Sequence, residues 1–145
     1  MAAITKAPHL PIWRAAQLLL VWAEKTVRGF ARYHKYTVGA QIRQQAMLVC
    51  RGVLRAQAYS GPARLAEVGA LHLVAEEMKL LLQLAKEVRA FRSWAEFDQG
   101  VGLALAVARQ CAGWRKALQS AQASRFEGQR DGVPGVPQAE GVQLA

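Results

Sequence analysis

The sequence predicts an all-helical protein folded as an up-down-up-down four-helix bundle. Apolar residues recur at helical spacing in four long segments, short connections separate these segments, and no segment alternates as a strand would. The chain has 145 residues, 52% of them hydrophobic and 20% charged, which is typical of one globular domain. We expect an irregular N-terminus (1–11), the bundle (12–123) and a flexible Gly/Pro-rich tail (124–145).

The first two helices are predicted over residues 12–31 and 38–59. Pro11 suits the first turn of a helix, where its missing N–H costs nothing. Thr37 is a candidate N-cap for the second helix, which ends at the breaker sequence of residues 60–62. The predicted core-facing residues are Ala16, Leu19, Leu20, Trp22, Ala23, Val27 and Phe30, then Ile42, Ala46, Val49, Cys50, Val53 and Leu54.

The last two helices are predicted over residues 63–91 and 94–123. Ser93 and Glu96 form a capping-box pattern, which predicts a helix start at the residue after Ser93. The predicted core-facing residues are Val68, Leu71, Ala75, Met78, Leu82, Ala85 and Val88, then Phe97, Val101, Leu105, Ala108, Ala112 and Leu118. The glycines that predict close approach of the fourth helix to a neighbour are Gly100, Gly102 and Gly113.

The charge balance predicts an anionic partner. Nineteen Lys and Arg residues, most of them Arg, stand against ten Asp and Glu, which gives a net charge of +9. From Lys25 to the residue before Glu67 the chain has eight basic residues and no acid, which favours a polyanion surface such as one for nucleic acid. A basic chain is also compatible with a role in solubility alone.

Ten basic residues are our candidate nucleic-acid contacts. They are Arg28, Arg32, Lys35, Arg43, Arg51, Arg55, Lys79, Lys86, Arg89 and Arg109. Tyr33 and Tyr36 lie between the first two helices, where they either stack on unpaired RNA bases or close the end of the bundle.

A basic row on the third helix has a second interpretation. His72, Lys79 and Lys86 recur at seven-residue spacing and therefore share one face. Because Glu76 and Glu87 lie close to this row, it equally fits a solvated face with ion pairs between successive turns.

The residue inventory predicts a protein that is not an enzyme and holds no metal or cofactor. The three histidines lie on different segments, and no glycine-rich phosphate loop or nucleophile turn is present. Cys50 and Cys111 lie in apolar helical runs, where we expect two small core residues in a reducing compartment.

The sequence also predicts a cytoplasmic protein without a membrane partner. The first residues lack the layout of a signal peptide, and the longest apolar run is too short for a membrane span. No predicted helix combines a strongly basic face with low hydrophobicity, which disfavours an anionic membrane surface.

Three segments resemble the accessory variability determinant (Avd) family, the four-helix-bundle accessory proteins of diversity-generating retroelements. Residues 30–39 (FARYHKYTVG) resemble the family's hinge, residues 78–85 (MKLLLQLA) its leucine run, and residues 107–114 (VARQCAGW) its closing segment. Ala31, Gln83 and Ala112 depart from the family pattern, which has a proline, a second basic residue and a glycine at these positions. The resemblance covers residues 12–120.

This resemblance implies a non-catalytic protein that assembles as a barrel-like homopentamer. It would bind the reverse transcriptase and the template RNA of the retroelement, and its cDNA as a further ligand, and so support mutagenic cDNA synthesis. The alternative is a structural or interaction bundle of the type encoded in intervening sequences of ribosomal RNA genes, without a reverse transcriptase partner. Residues 39–43 (GAQIR) are similar to the opening of the second helix in that family.

Overall fold

The structure is a computed structural model that describes residues 11–131. Its helices are α1 (Pro11–Arg28), α2 (Arg32–Lys35), α3 (Val38–Ala58), α4 (Gly61–Glu87) and α5 (Trp94–Asp131). The described part of the chain contains no strand, so the prediction of an all-helical bundle is confirmed. The predicted N-terminal segment up to residue 10 and the tail from residue 132 lie outside the described residues.

The four long helices pack in a ring. Helices α1 and α4 each contact both α3 and α5, and the single-turn α2 packs against α3. Because consecutive long helices are neighbours joined by short connections, they alternate in direction. The C-terminal ends of α1 and α4 therefore lie at the same end of the bundle, together with residues 28–37 and 86–94, which we call the hinge end.

Most of the predicted core-facing residues are buried. Leu19 of α1, Ile42 of α3, Leu82 of α4 and Cys111 of α5 are among the fully buried side chains. Five predicted core residues are only half-buried: Leu20, Leu54, Val101, Leu105 and Leu118.

Two predicted core residues are instead exposed. Val88 is 42% exposed because α4 ends at Glu87, so the helical stripe stops before it. Ala112 is exposed because α5 buries Cys111, and the next residue of a helix points about 100° away.

Three helix ends lie three residues or more from their predicted positions, and one of them is the end of α4 at Glu87 instead of residue 91. Helix α1 stops at Arg28, where the N–H of Gly29 donates to the carbonyl of Thr26 at 3.0 Å and tightens the last turn. Helix α5 continues through residues 124–131, which the sequence analysis assigned to the tail. A single glycine, Gly128, costs a helix only about 1 kcal/mol. Because the first proline after Trp94 is Pro134, no stronger breaker interrupts this segment.

The two predicted N-caps behave differently. The Ser93 hydroxyl accepts a hydrogen bond from the Glu96 N–H at 3.2 Å, as predicted, but the Glu96 carboxylate binds the N–H of Arg92 at 2.9 Å. The expected cap by Thr37 is absent, since its hydroxyl donates to the carbonyl of Tyr33 at 2.8 Å.

One of the three glycines marks a close helix contact. A Cβ atom on Gly100 would overlap the Trp22 ring, so α5 approaches α1 closely there. Gly102 and Gly113 have nothing within 4 Å of the corresponding position, and the prediction for these two is wrong.

Candidate nucleic-acid interface

The connection between α1 and α3 is held by one buried aromatic residue and presents polar residues outward. Phe30 is buried, and its ring meets the edge of the Phe91 ring at a centroid distance of 5.4 Å. Tyr33 and Tyr36 are 75% and 70% exposed. Since the pair Phe30 and Phe91 fills the end of the core, the two tyrosines do not close the bundle and are available to a ligand.

The connection between α4 and α5 begins with a Schellman motif. The N–H of Ala90 donates to the carbonyl of Ala85 at 2.9 Å, and that of Arg89 donates to the carbonyl of Lys86 at 3.0 Å. This motif places Arg89 in the left-handed region with φ 60°, a position that glycine normally occupies. An arginine there carries a backbone cost of about 1–2 kcal/mol, and strain of this kind is often associated with function.

The two connections touch each other. A Cβ atom on Gly29 would lie 2.5 Å from the guanidinium carbon of Arg92, so this guanidinium covers the turn that follows α1. The centroid of the Phe91 ring lies 6.0 Å from that of the Trp22 ring, so the connection between α4 and α5 also contacts α1. Two connections that are about 50 residues apart in the chain therefore form one surface at the hinge end.

The hinge end brings together half of the candidate nucleic-acid contacts. These five are Arg28, Arg32, Lys35, Lys86 and Arg89. In the described part of the chain, none of them has an acidic oxygen within 4.0 Å of its charged nitrogens. Residues 28–37 carry three basic residues and no acid, and residues 86–94 carry three basic residues and one acid. The surface thus has a surplus of positive charge that its own side chains leave uncompensated.

Three other candidate contacts form ion pairs: Arg43 and Arg55 on α3, and Lys79 on α4. Arg43 lies 2.9 Å from Glu24, and Arg55 lies 3.1 Å from Glu67. The acid-free stretch of the sequence is therefore partly neutralised in space, because the acids that flank it belong to neighbouring helices. Arg55 holds the pKa of Glu67 below its usual value, mainly through the hydrogen bond to its carboxylate.

Another arginine of the same stretch has a structural role. The Arg64 guanidinium donates to the carbonyls of Ala56, Gln57 and Tyr59 at 2.7–3.2 Å. These are carbonyls at the end of α3, which have no partner within their own helix. Arg64 therefore caps α3.

The basic row on α4 is largely a solvated face. Lys79 and His72 both contact Glu76, at 2.9 and 3.4 Å, and the hydrogen bond from Lys79 is the main cause of a lowered Glu76 pKa. Only Lys86 departs from this pattern and lies at the hinge end.

The two remaining candidates do not join the hinge end. Arg51 is an exposed residue of α3 and Arg109 an exposed residue of α5. These two helices occupy opposite corners of the ring, so the two arginines belong to separate faces.

The connection between α4 and α5 also forms a pocket that the sequence did not predict. Its cavity of about 300 Å³ is lined by Lys86, Arg89, Phe91, Ser93, Trp94 and Phe97. The Lys86 ammonium lies 5.6 Å from the centroid of the Trp94 ring and 5.0 Å from that of Phe97, within the range of a cation–π contact. Trp94 is 65% exposed, and Lys86 is half-buried.

Arg92 and Trp94 are the functional candidates missing from the sequence-based set. The signal that could have identified them is topology. In an up-down-up-down bundle the first and third connections lie at the same end, so residues 86–94 belong beside residues 28–37.

The remaining reactive groups are buried. The Cys50 thiol donates to the carbonyl of Ala16 at 3.4 Å, and burial raises the thiol pKa of Cys50 to about 11 and that of Cys111 to about 12. Both thiols therefore stay protonated near neutral pH and serve as small core residues. Among the side chains that the structure describes, no group of three His, Cys, Asp or Glu residues is placed to hold a metal ion. No helix within residues 11–131 is long and apolar enough to cross a membrane.

A scan against protein-family models finds no match for the chain, and a search of curated proteins finds no similar sequence. The candidate interface therefore rests on the geometry and charge of the hinge end.

Proposed function

We propose that this protein is a non-catalytic RNA-binding accessory subunit of a diversity-generating retroelement, with the hinge end as its RNA-binding surface. The RNA-binding part of the proposal is carried by one observation: two connections that are far apart in the sequence meet at the hinge end. Five basic residues without acidic partners lie there beside three exposed aromatic residues, Tyr33, Tyr36 and Trp94. The retroelement context, with a reverse transcriptase and its template RNA as partners, comes from the resemblance of residues 30–39, 78–85 and 107–114 to the Avd family.

The chemistry of the hinge end suits RNA. Arginine guanidinium groups contact phosphate oxygens in pairs, and exposed aromatic rings stack on unpaired bases. Some basic residues on α3 and α4 pair with acids, as Lys79 does with Glu76, whereas the exposed Arg51 and Arg109 have no acidic partner among the described ion pairs. The support for a ligand at the hinge end is therefore that unpaired basic residues cluster there beside the exposed rings of Tyr33, Tyr36 and Trp94.

The proposed assembly is a homopentamer in which the α3–α4 side contributes to contacts between subunits. Leu73, Leu80 and Leu84 of α4 are exposed, and a groove beside them is lined by Leu48, Leu81 and polar residues of both helices. Exposed leucines that share one side of a helix are typical of a surface covered by another protein.

Matched sets of substitutions test the RNA-binding surface. One variant replaces Arg32, Lys35 and Arg89 by Gln, and its control replaces the ion-paired Arg43, Arg55 and Lys79 by Gln. Both variants lose three positive charges, so the change in net charge is the same, and the control also frees the carboxylates of Glu24, Glu67 and Glu76 from their ion pairs.

Binding of a structured RNA is measured by fluorescence anisotropy at several salt concentrations. We expect the hinge-end variant to bind at least tenfold more weakly, with a log–log salt slope lower by about 2, because each lost contact to single-stranded RNA removes about 0.7. The control should keep most of the affinity. Equal losses in both variants would mean that only net charge matters, and an unchanged hinge-end variant would refute the assignment.

The alternative is a structural or interaction bundle of the ribosomal-RNA intervening-sequence type. The observation that favours it is the number of basic residues already held in pairs on α3 and α4, which is the ordinary condition of a solvated surface. Light scattering of the purified protein separates the two proposals when it is combined with the RNA titration. A pentamer that binds RNA favours the retroelement role, and a monomer indifferent to RNA favours the alternative.

A further inference from the structure

We propose that the cavity between the end of α4 and the start of α5 binds one unpaired nucleotide, whose base stacks on Trp94 and whose phosphate contacts Lys86 and Arg89. This inference rests on the proposed function and specifies the ligand of the same surface. It predicts that the protein binds single-stranded segments of RNA in preference to duplex RNA.

Trp94 offers a rigid and accessible stacking surface. Its ring packs against that of Phe97 at a centroid distance of 5.1 Å, and Phe97 is itself buried in the core. The neighbouring Ser93 hydroxyl caps the first turn of α5 and fixes the backbone beside the ring. A large aromatic side chain already held in place loses little conformational entropy when a base stacks on it.

The two cations lie on the wall of the same cavity. The Lys86 ammonium faces the Trp94 and Phe97 rings and has no acidic partner within 4.0 Å in the described residues. Arg89 lines the cavity from the strained backbone position of the Schellman motif. A site where glycine would fit the backbone better is therefore occupied by a side chain able to bind phosphate.

The combination of groups and size indicates a nucleotide. A planar base needs an aromatic face, and the phosphate attached to it needs cations a few ångströms away, which is the arrangement of Trp94 with Lys86 and Arg89. A cavity of about 300 Å³ is at the small end of ligand-binding pockets. It suits one nucleotide, whereas a duplex keeps its bases stacked inside and would leave the aromatic wall uncovered.

The test compares three probes of equal backbone charge per strand. They are a single-stranded RNA dodecamer, an abasic strand of the same length, and a duplex that contains the dodecamer. The variant is Trp94→Leu, and the matched control is Tyr59→Leu. Tyr59 is another exposed aromatic residue beside a cation, with Arg55 5.9 Å from its ring, but it lies at the opposite end of the bundle. Trp94→Phe tests whether a smaller ring restores stacking.

We expect Trp94→Leu to weaken binding of the single strand about tenfold, the range typical of one lost base stack. Binding of the abasic strand and of the duplex should stay unchanged, Tyr59→Leu should have no effect, and Trp94→Phe should recover most of the loss. Circular dichroism should report unchanged helicity, because the Trp94 side chain is largely exposed.

Two outcomes overturn the nucleotide site while leaving the proposed function in place. The first is wild-type affinity of Trp94→Leu for the single strand, and the second is an equal loss on the abasic strand. If the unaltered protein binds none of the three probes, the proposed RNA-binding function fails as well.

Discussion

Arg89 combines an unfavourable backbone with a side chain that faces the candidate interface, and the two effects can be separated experimentally. Replacing it by glycine relieves a left-handed strain of about 1–2 kcal/mol, while the extra freedom of glycine in the unfolded chain costs about 0.5–1 kcal/mol. We therefore expect Arg89→Gly to raise the free energy of unfolding by about 0.5–1 kcal/mol, measured by urea denaturation. The same variant should bind RNA more weakly because it lacks one phosphate contact.

Arg89→Ala provides the control for this prediction. It removes the same guanidinium but keeps a side chain in the left-handed region, so it should lose RNA affinity without becoming more stable. If Arg89→Gly gained stability and kept full RNA affinity, the strained arginine would have no role in binding.

The ion pair of Arg55 and Glu67 gives a prediction about pH. Arg55 lowers the pKa of Glu67 in the folded protein below its ordinary value of 4.5, so the carboxylate binds protons more weakly when folded than when unfolded. The stabilisation by this pair is therefore complete above the unfolded pKa and is lost as the pH falls through the lower, folded pKa. Carboxyl carbon NMR should show the Glu67 pKa rising toward 4.5 in Arg55→Gln.

The effect of the same substitution on stability should be small, because the pair is exposed to solvent and screened. Lys79→Gln is a control, since it should raise the pKa of Glu76 and leave that of Glu67 unchanged. A Glu67 pKa insensitive to Arg55→Gln would show that the two side chains do not pair in solution.

At the scale of the helices, the contact between α5 and α1 depends on Gly100. A methyl group there would overlap the Trp22 ring, so Gly100→Ala should destabilise the protein by about 1–3 kcal/mol through overpacking. Gly102→Ala is the matched control two residues away. Its added methyl group meets open space, and the higher helix propensity of alanine should stabilise the protein by up to about 1 kcal/mol. Thermal denaturation of the two variants should shift in opposite directions, and shifts of the same sign would contradict the packing of Trp22 against α5.

Helical periodicity predicted where the long helices lie and most of their buried residues, because the spacing of apolar side chains along one helix is a local property. It could not predict which charged residues pair across helices. Arg43 and Glu24 are 19 residues apart, and their contact depends on the relative register of α1 and α3. The prediction that Ala112 is buried was wrong for the same reason, because the side of α5 that is buried depends on where the neighbouring helices end.

The hinge end is likewise a property of the whole chain. No window of the sequence contains both Arg32 and Trp94, and only the alternating direction of the helices brings their connections together. The lack of acids between Lys25 and Glu67 predicted the first half of this surface. The predicted contacts also included Lys86 and Arg89 of the second half, but not Arg92 or Trp94. The structure shows that Glu96 binds Arg92 and leaves Lys86 and Arg89 unpaired.

At the scale of the assembly, the proposed homopentamer predicts that the exposed leucines of α4 become covered. Leu80 is 72% exposed in the isolated chain, so a single subunit should tolerate Leu80→Glu without losing its fold. In an oligomer that buries this side, however, the new carboxylate would lie in an apolar contact without a partner and oppose association. We expect the variant to shift toward smaller species in light scattering while its helicity by circular dichroism stays unchanged.

Leu18→Glu, on the exposed side of α1, serves as the comparison, because α1 is diagonal to α4 in the bundle. Dissociation by Leu80→Glu alone would place the subunit contact on the α3–α4 side. An unaltered oligomer in Leu80→Glu would exclude that side, and a monomeric wild-type protein would exclude the pentamer itself.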